Sequence, residues 1–177
     1  KRRFIELIKQ HFPKTQIEEG GFPKSKNIII GDIETAKVVI CAHYDTCAQL
    51  FFPNFIAPNN PLISILYSIL LIMPMFLILF VANLIFTYII SNFWIQYALS
   101  LAIYITFFFL IIAGPPNKHT ANDNTSGVIV LCELLEVLTE SERSRAAFVF
   151  FDHEETGLIG SSFFRSKHRK LMLNKLL

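Results

Sequence analysis

Two adjacent carboxylates, Glu154 and Glu155, follow an apolar run and form the stretch best suited to chemistry. The run, residues 146–151, has the pattern of a buried strand of the parallel type. In open α/β sheets, ligands bind at the carboxyl ends of the strands. One carboxylate there can hold a metal ion while its neighbour takes a proton from metal-bound water. Taken alone, the pair also fits an ordinary solvated turn.

Two further stretches place residues with similar chemistry at the ends of predicted elements. Residues 38–42 form a second buried-strand pattern, which ends in His43 and Asp45. A histidine in that position can bind metal while the aspartate orients its ring. Asp123 lies in a polar loop before an apolar, helix-length segment, where an acidic side chain suits a helix N-terminus or an ordinary N-cap. Because all three stretches occur at element ends on one short chain, they favour a shared site.

The amino-acid sequences of these stretches resemble those of the two-zinc aminopeptidase family of clan MH, metallopeptidase family twenty-eight. The matching pieces, in chain order, are Ala42-His43-Tyr44-Asp45-Thr46, Asn122-Asp123-Asn124 with Ser126-Gly127-Val128, and Phe150-Phe151-Asp152 with Glu154-Glu155 and Gly157-Leu158-Ile159-Gly160-Ser161. The resemblance implies two zinc ions as cofactors and a peptide as substrate.

The resemblance also implies a role for each candidate residue. His43 is expected to bind one zinc ion and Glu155 the other, and Asp123 is expected to bridge both. Glu154 is expected to act as the general base, and Asp45 to support His43. A helical His-Glu-x-x-His zinc motif is excluded, because its second histidine would have to stand at position 157, which is a glycine.

The family uses two more ligands, an Asp and a His, in its C-terminal half. His168 follows Glu155 too closely to be that histidine, and the basic residues around it are typical of a solvated surface. The sequence also starts at Lys1 and not at a methionine. We therefore expect the chain to be the N-terminal part of a longer protein, with three of five ligands present.

The composition points to a membrane. Hydrophobic residues make up 53% of the chain and charged residues only 17%, against roughly 25% charged residues in soluble domains. The 72 residues from position 46 to 117 contain no acidic, basic or histidine side chain. The net charge of +2 and the lack of a basic patch give no indication of a nucleic-acid partner. The three cysteines show no paired spacing, which is typical of reduced thiols.

Residues 62–113 form an almost entirely apolar block of 52 residues. As helix the block would measure about 78 Å, against about 30 Å of hydrocarbon core, so it predicts two membrane spans. We expect the turn near Ser91 and Asn92, with Asn83 as a second candidate, and a kink at Pro74. The alternative is a buried hydrophobic hairpin in a soluble protein.

The positions of the candidate ligands also favour an even number of spans. His43 precedes the apolar block and Asp123 follows it, so a shared metal site requires the chain to return to the side it left. The two aspartates Asp45 and Asp123 are 78 positions apart, and removing the 52 apolar residues leaves 26. The block is therefore predicted to be an insertion beside the active site.

The fold expected from these patterns is α/β, a three-layer α/β/α arrangement with a mixed sheet, interrupted by a two-helix transmembrane hairpin. Residues 1–61 are expected to begin the peptidase domain, residues 62–113 to form the hairpin, and residues 114–177 to continue the domain. We predict a short amphipathic helix over residues 3–11, strands over 27–33 and 37–42 paired as a β-hairpin, a helix over 128–138 and a third strand over 146–151.

The sequence thus predicts a membrane-anchored, zinc-dependent aminopeptidase with the bilayer as a second partner. The basic residues lie outside the apolar block, so the positive-inside tendency favours a cytoplasmic catalytic domain. Two alternatives remain open. One is a catalytically inactive, peptidase-like scaffold, and the other is related amide chemistry such as glutaminyl cyclisation on the same fold.

Overall fold

The computed structural model describes residues 1–49, 60–118 and 120–172, and the chain divides into two compact units. The first, called the sheet unit, comprises Lys1–Cys47 and Lys118–Leu177. The second, called the hairpin unit, comprises Ala48–Asn117. Pro53 and Pro58, which punctuate the sequence before the apolar block, lie outside the described residues.

The sheet unit is built on a four-stranded mixed sheet. Its strands are β1 (Gln16–Gly20), β2 (Ser25–Ile30), β3 (Val38–His43) and β4 (Ala146–Phe151), in the spatial order β1-β2-β4-β3. β4 runs parallel to β3 and antiparallel to β2. The predicted α/β class with a mixed sheet is therefore confirmed.

The predicted β-hairpin between residues 27–33 and 37–42 is wrong, because β4 lies between these two strands. Val149 is the register partner of Ile29 on one side and of Cys41 on the other. The first five residues of β4 are buried, as expected of a central strand whose two faces are both covered. The chain leaves β2 through Gly31, whose φ of +94° is favourable only for glycine.

One strand was not predicted at all. β1 is polar and pairs with β2 across a turn that contains Gly21. Its sequence, Gln-Ile-Glu-Glu-Gly, carries a single apolar residue, Ile17. One apolar residue is too few to produce the alternating pattern from which a strand is predicted. β1 is a strand because it pairs with β2.

The sheet unit has two apolar clusters, one on each face of the sheet, because successive side chains in a strand point to opposite faces. The helices that contribute to them are α1 (Arg2–His11), α4 (Ser126–Val137) and α6 (Ile159–Lys167), and the short helices α5 (Glu140–Arg143) and α7 (Arg169–Met172) complete the unit. One cluster includes Ile8, Ile28, Ile30, Leu131, Leu135, Phe148 and Phe150. The other includes Ile29, Val39, Ala147, Val149 and Phe164.

The hairpin unit consists of two long apolar helices, α2 (Pro61–Ile89, 29 residues) and α3 (Phe93–Ala113, 21 residues). Asn92 caps α3 by accepting from the main-chain N–H groups of residues 94 and 95, so the prediction of a turn near Ser91 and Asn92 is confirmed. Asn83 instead lies inside α2, where its Oδ1 accepts a hydrogen bond of 2.7 Å from Ser100 of α3.

The two ends of the hairpin unit are joined by main-chain pairing. Ala48 and Pro116 form an antiparallel bridge, and the Gln49 N–H donates to the Pro115 carbonyl at 2.7 Å. Both helices are long and apolar enough to cross a membrane, as judged by length and composition. The chain therefore enters and leaves this unit at the same end.

Candidate metal centre

The candidate residues of the sheet unit gather at one edge of the sheet. β3 and β4 are parallel, with His43 in register with Phe151, so their carboxyl ends meet at this edge. His43 is the last residue of β3, and Glu154 and Glu155 lie in the loop after β4. Asp123 comes from an irregular turn, Ala121–Thr125, directly before α4; its own φ and ψ are not helical, and the Asp123–Asn124 peptide bond is cis.

His43 lies at the centre of this group. Its Nε2 is 3.1 Å from Oδ1 of Asp123 and 3.8 Å from Oε2 of Glu154. One donor atom each from His43, Glu154 and Glu155 can be chosen so that all lie within 4.8 Å of one another. An imidazole together with carboxylates is a donor set that zinc accepts. The arrangement has the size and chemistry of a metal-binding site.

Glu155 shows that these residues fit a cation. Its Oε1 is buried and has no hydrogen-bond partner among the described residues. Burial, and after it the negative charge of Asp123, raise the pKa of the Glu155 carboxyl above its usual range. A buried carboxylate without a donor is costly unless a positive charge compensates for it. A metal ion at this position would provide that charge.

Asp45 contacts both the histidine and the two glutamates. It is only 4% exposed. Its Oδ1 accepts the Glu154 N–H at 3.1 Å and its Oδ2 accepts the Glu155 N–H at 3.2 Å. The Nδ1 of His43 lies 3.2 Å from the main-chain oxygen of Asp45 and 3.6 Å from its Oδ1. The closer support for the histidine thus comes from the main chain of Asp45 and not from its carboxylate.

Asp152 and Asn27 hold the start of the glutamate loop, and the sequence reasoning gave neither of them a role. Asp152 is buried and accepts from the Lys26 main-chain N–H at 3.2 Å. Asn27 is fully buried, accepts the Asp152 N–H at 3.2 Å and donates to the Gly160 carbonyl at 2.8 Å. The available signal was a lone amide side chain inside an apolar strand, since such a group needs partners when buried.

The basic residues around His168 were expected to form a solvated surface, but two side chains there contact a buried carboxylate. The His168 Nε2 lies 2.8 Å from Oε2 of Glu18, and the Lys167 Nζ lies 2.9 Å from the same oxygen. The His168 ring also packs on Phe164, with centroids 4.6 Å apart. Glu18 is buried on β1, and the His168 side chain beside it is largely buried, whereas that of Lys167 is half exposed.

A small cavity of about 230 Å³ adjoins His43. Its lining residues are Phe4, His43, Tyr44, Asp45, Thr46, Thr120, Asn124, Thr125 and Val128. Apart from His43 and Asp45, these side chains are uncharged, and the wall combines aromatic and aliphatic surface with threonine hydroxyls. The cavity therefore suits a small uncharged group placed next to the candidate metal centre.

Comparison with known proteins agrees with this site. Residues 106–176 match the model of Peptidase family M28. This segment is similar to the M28 family. The M28 segment includes Asp123, Glu154 and Glu155, while His43 and Asp45 precede it, and the predicted family resemblance is confirmed. No curated protein and no solved structure matches the chain. The M28 match supports peptide hydrolysis as the general activity.

Proposed function

We propose that this protein is a membrane-anchored, zinc-dependent aminopeptidase. The observation that carries the proposal is the group formed by His43, Glu154 and Glu155, with ligand atoms within 4.8 Å of one another at one sheet edge. The M28 segment supports a peptidase, and the unpartnered Glu155 oxygen supports a cation at this place. Zinc and the removal of N-terminal residues are the finer parts of the proposal.

In this proposal His43, Asp123 and Glu155 would hold the zinc ions. Bound zinc lowers the pKa of water and polarises a carbonyl oxygen. Glu155, with its buried oxygen, suits a ligand. Glu154, whose side chain is 31% exposed, is open to substrate and suits the general base.

Glu154 has the proton-transfer role. Its carboxylate accepts a proton from the attacking water and later passes that proton to the leaving amine. The Oε2 of Glu154 lies 3.8 Å from the His43 Nε2, so the base borders the same space as the ligands. The cavity beside His43 is the place where we expect an uncharged substrate group to lie.

We further propose that α2 and α3 form a transmembrane hairpin. Their 29 and 21 residues correspond to about 44 and 32 Å of helix, which is enough to cross a hydrocarbon core of about 30 Å. Neither helix has a buried residue, and large apolar side chains are exposed along both. The paired ends of the hairpin unit support an even number of crossings.

The remaining parts of the proposal concern the sheet unit. We place it on the cytoplasmic side, as the peptidase domain into whose sequence the hairpin of residues 62–113 is inserted. The two apolar clusters on opposite faces of the sheet support a three-layer α/β/α arrangement.

The test is an assay of the full-length protein in detergent with chromogenic amino-acid amides, with and without a chelator and with zinc added back. We expect chelator-sensitive turnover that falls by roughly 10²- to 10⁴-fold in Glu154→Gln, the range for losing a general base. Bound zinc should stay unchanged in that variant. The matched control is Glu133→Gln, on the exposed side of α4, which should retain full activity.

Other outcomes would contradict the proposal in distinct ways. Turnover that persists without metal would exclude a zinc peptidase. Bound metal without turnover across a broad amide panel would favour cyclase-like chemistry. The absence of both metal and turnover would leave a membrane scaffold with a peptidase-like domain.

A further inference from the structure

Asp45 joins the end of β3 to the loop that carries both glutamates. We propose that Asp45 is a positioning residue, and that its carboxylate sets the geometry of the metal centre by holding the main chain of Glu154 and Glu155. The inference rests on the proposed function, because it assigns Asp45 a part in that same site. It differs from the expected role, in which the carboxylate orients His43.

Both oxygens of the Asp45 carboxylate are engaged by main-chain donors. The Glu154 N–H reaches Oδ1 at 3.1 Å and the Glu155 N–H reaches Oδ2 at 3.2 Å. Hydrogen bonds to an ionised acceptor are roughly twice as strong as neutral ones. Asp45 is 4% exposed, so little water competes for these bonds.

The contact between the Asp45 carboxylate and His43 is longer than these hydrogen bonds and is therefore weaker. The Oδ1 of Asp45 is 3.6 Å from the His43 Nδ1, which is longer than a hydrogen bond. The main-chain oxygen of Asp45 is closer to Nδ1, at 3.2 Å. Replacement of the Asp45 side chain therefore leaves the main-chain support of His43 in place.

Two bonds to consecutive N–H groups hold two successive peptide units, those between residues 153 and 154 and between 154 and 155. These units determine where the side chains of Glu154 and Glu155 begin. Metal sites require ligand distances within about 0.2 Å of their ideal values. A shift of this loop would therefore change the ligand geometry without removing any ligand.

Asp45→Asn is the sharpest variant because it keeps the size of the side chain. An amide offers one oxygen acceptor and one NH₂ donor. In the variant one of the two loop N–H groups would face a donor and would have no acceptor. The matched control is Asp32→Asn, whose carboxylate accepts the Glu34 N–H at 2.8 Å and the Thr35 hydroxyl at 3.0 Å in a separate turn.

The experiment measures hydrogen exchange of the full-length, metal-free protein in detergent. In Asp45→Asn we expect amides of residues 153–156 to exchange at least about tenfold faster, since an amide without its acceptor opens more readily. Exchange in β2 and β4 should remain unchanged, and Asp32→Asn should behave like the unsubstituted protein at residues 153–156. A titration with zinc against a chromophoric chelator should show affinity about 10- to 100-fold lower in Asp45→Asn.

Three results would overturn the inference. They are unchanged exchange of the loop, an equal increase throughout the sheet, and faster loop exchange with unchanged zinc affinity. Failure of the proposed zinc site is recognised separately, because the unsubstituted protein would then bind no zinc, and failure of the peptidase activity is recognised by the absence of turnover. In that case the exchange comparison alone decides whether Asp45 holds the loop.

Discussion

The Nε2 of His43 lies 3.1 Å from Oδ1 of Asp123, although the two residues are 80 positions apart in the chain. The whole hairpin unit lies between them in the sequence. Their contact within the sheet unit means that the chain returns to its starting point after the apolar helices. A single membrane crossing by the intervening segment is incompatible with this contact.

The same contact predicts the effect of removing Asp123. We expect Asp123→Ala to retain less than about half of the zinc bound by the unsubstituted protein, because the proposal assigns Asp123 as a zinc ligand. Elemental analysis of the dialysed full-length protein measures this content. Asp32→Ala is the control for loss of an aspartate elsewhere, and full zinc content in Asp123→Ala would contradict the proposed ligand set.

The raised pKa of Glu155 predicts how the metal-free protein responds to pH. The folded state holds the Glu155 proton more tightly than the unfolded state, whose pKa is about 4.3. The stabilisation from the protonated group is thus fully present below that pH and is lost as pH rises through the folded-state pKa. We expect Glu155→Gln to match the unsubstituted protein at low pH and to melt at a higher temperature near neutral pH.

Thermal unfolding in the presence of a chelator, repeated across this pH range, tests the expectation. The exposed Glu133→Gln variant should show the same pH dependence as the unsubstituted protein. Glu155→Gln and the unsubstituted protein could instead differ in melting temperature by the same amount at every pH. That result would contradict the raised pKa of Glu155.

Gly160 allows α6 to approach the start of the glutamate loop. A Cβ at this position would clash with the main-chain oxygen of Asp152 and would also crowd the Asn27 side chain. We expect Gly160→Ala to destabilise the protein by about 1–3 kcal/mol, as overpacking does, and to weaken zinc binding by shifting the loop. Ser162→Ala, on the exposed side of the same helix, should change neither stability nor zinc affinity.

Denaturant unfolding and zinc titration of the two variants provide the comparison. Unchanged stability of Gly160→Ala would contradict the prediction, because it would show that the loop can move away from the added Cβ without cost. Lower stability together with unchanged zinc affinity would separate helix packing from the geometry of the metal centre.

The hairpin proposal predicts opposite accessibility for two engineered cysteines. In a background in which Cys41, Cys47 and Cys132 are serine, Ser91→Cys lies between α2 and α3 and Ser162→Cys lies on the sheet unit. We expect an impermeant maleimide to label position 91 in intact cells and position 162 only after permeabilisation. The reverse pattern would invert the proposed orientation. Labelling of both positions from the same side would contradict two spans.

Local patterns were sufficient for part of the fold. The strands β3 and β4, the polar residues at their ends and the break between α2 and α3 were all predicted from sequence. The burial predicted for β3 was wrong, because β3 is the last strand in the sheet order and only Val39 and Ala42 of it are buried. Each depends on features within a few residues, such as an apolar run that stops at charged side chains or asparagine between two apolar helices. The candidate ligands came from the family resemblance that the same short stretches carry.

Tertiary structure decided which of these elements meet. It placed β4 between β2 and β3, added the polar strand β1 and drew His168 onto Glu18. It also gave Asp45 main-chain partners that lie 109 and 110 positions away. No local pattern contains such contacts, because hydrogen-bond donors left unpaired in a buried loop take whichever acceptor the packed sheet brings within reach.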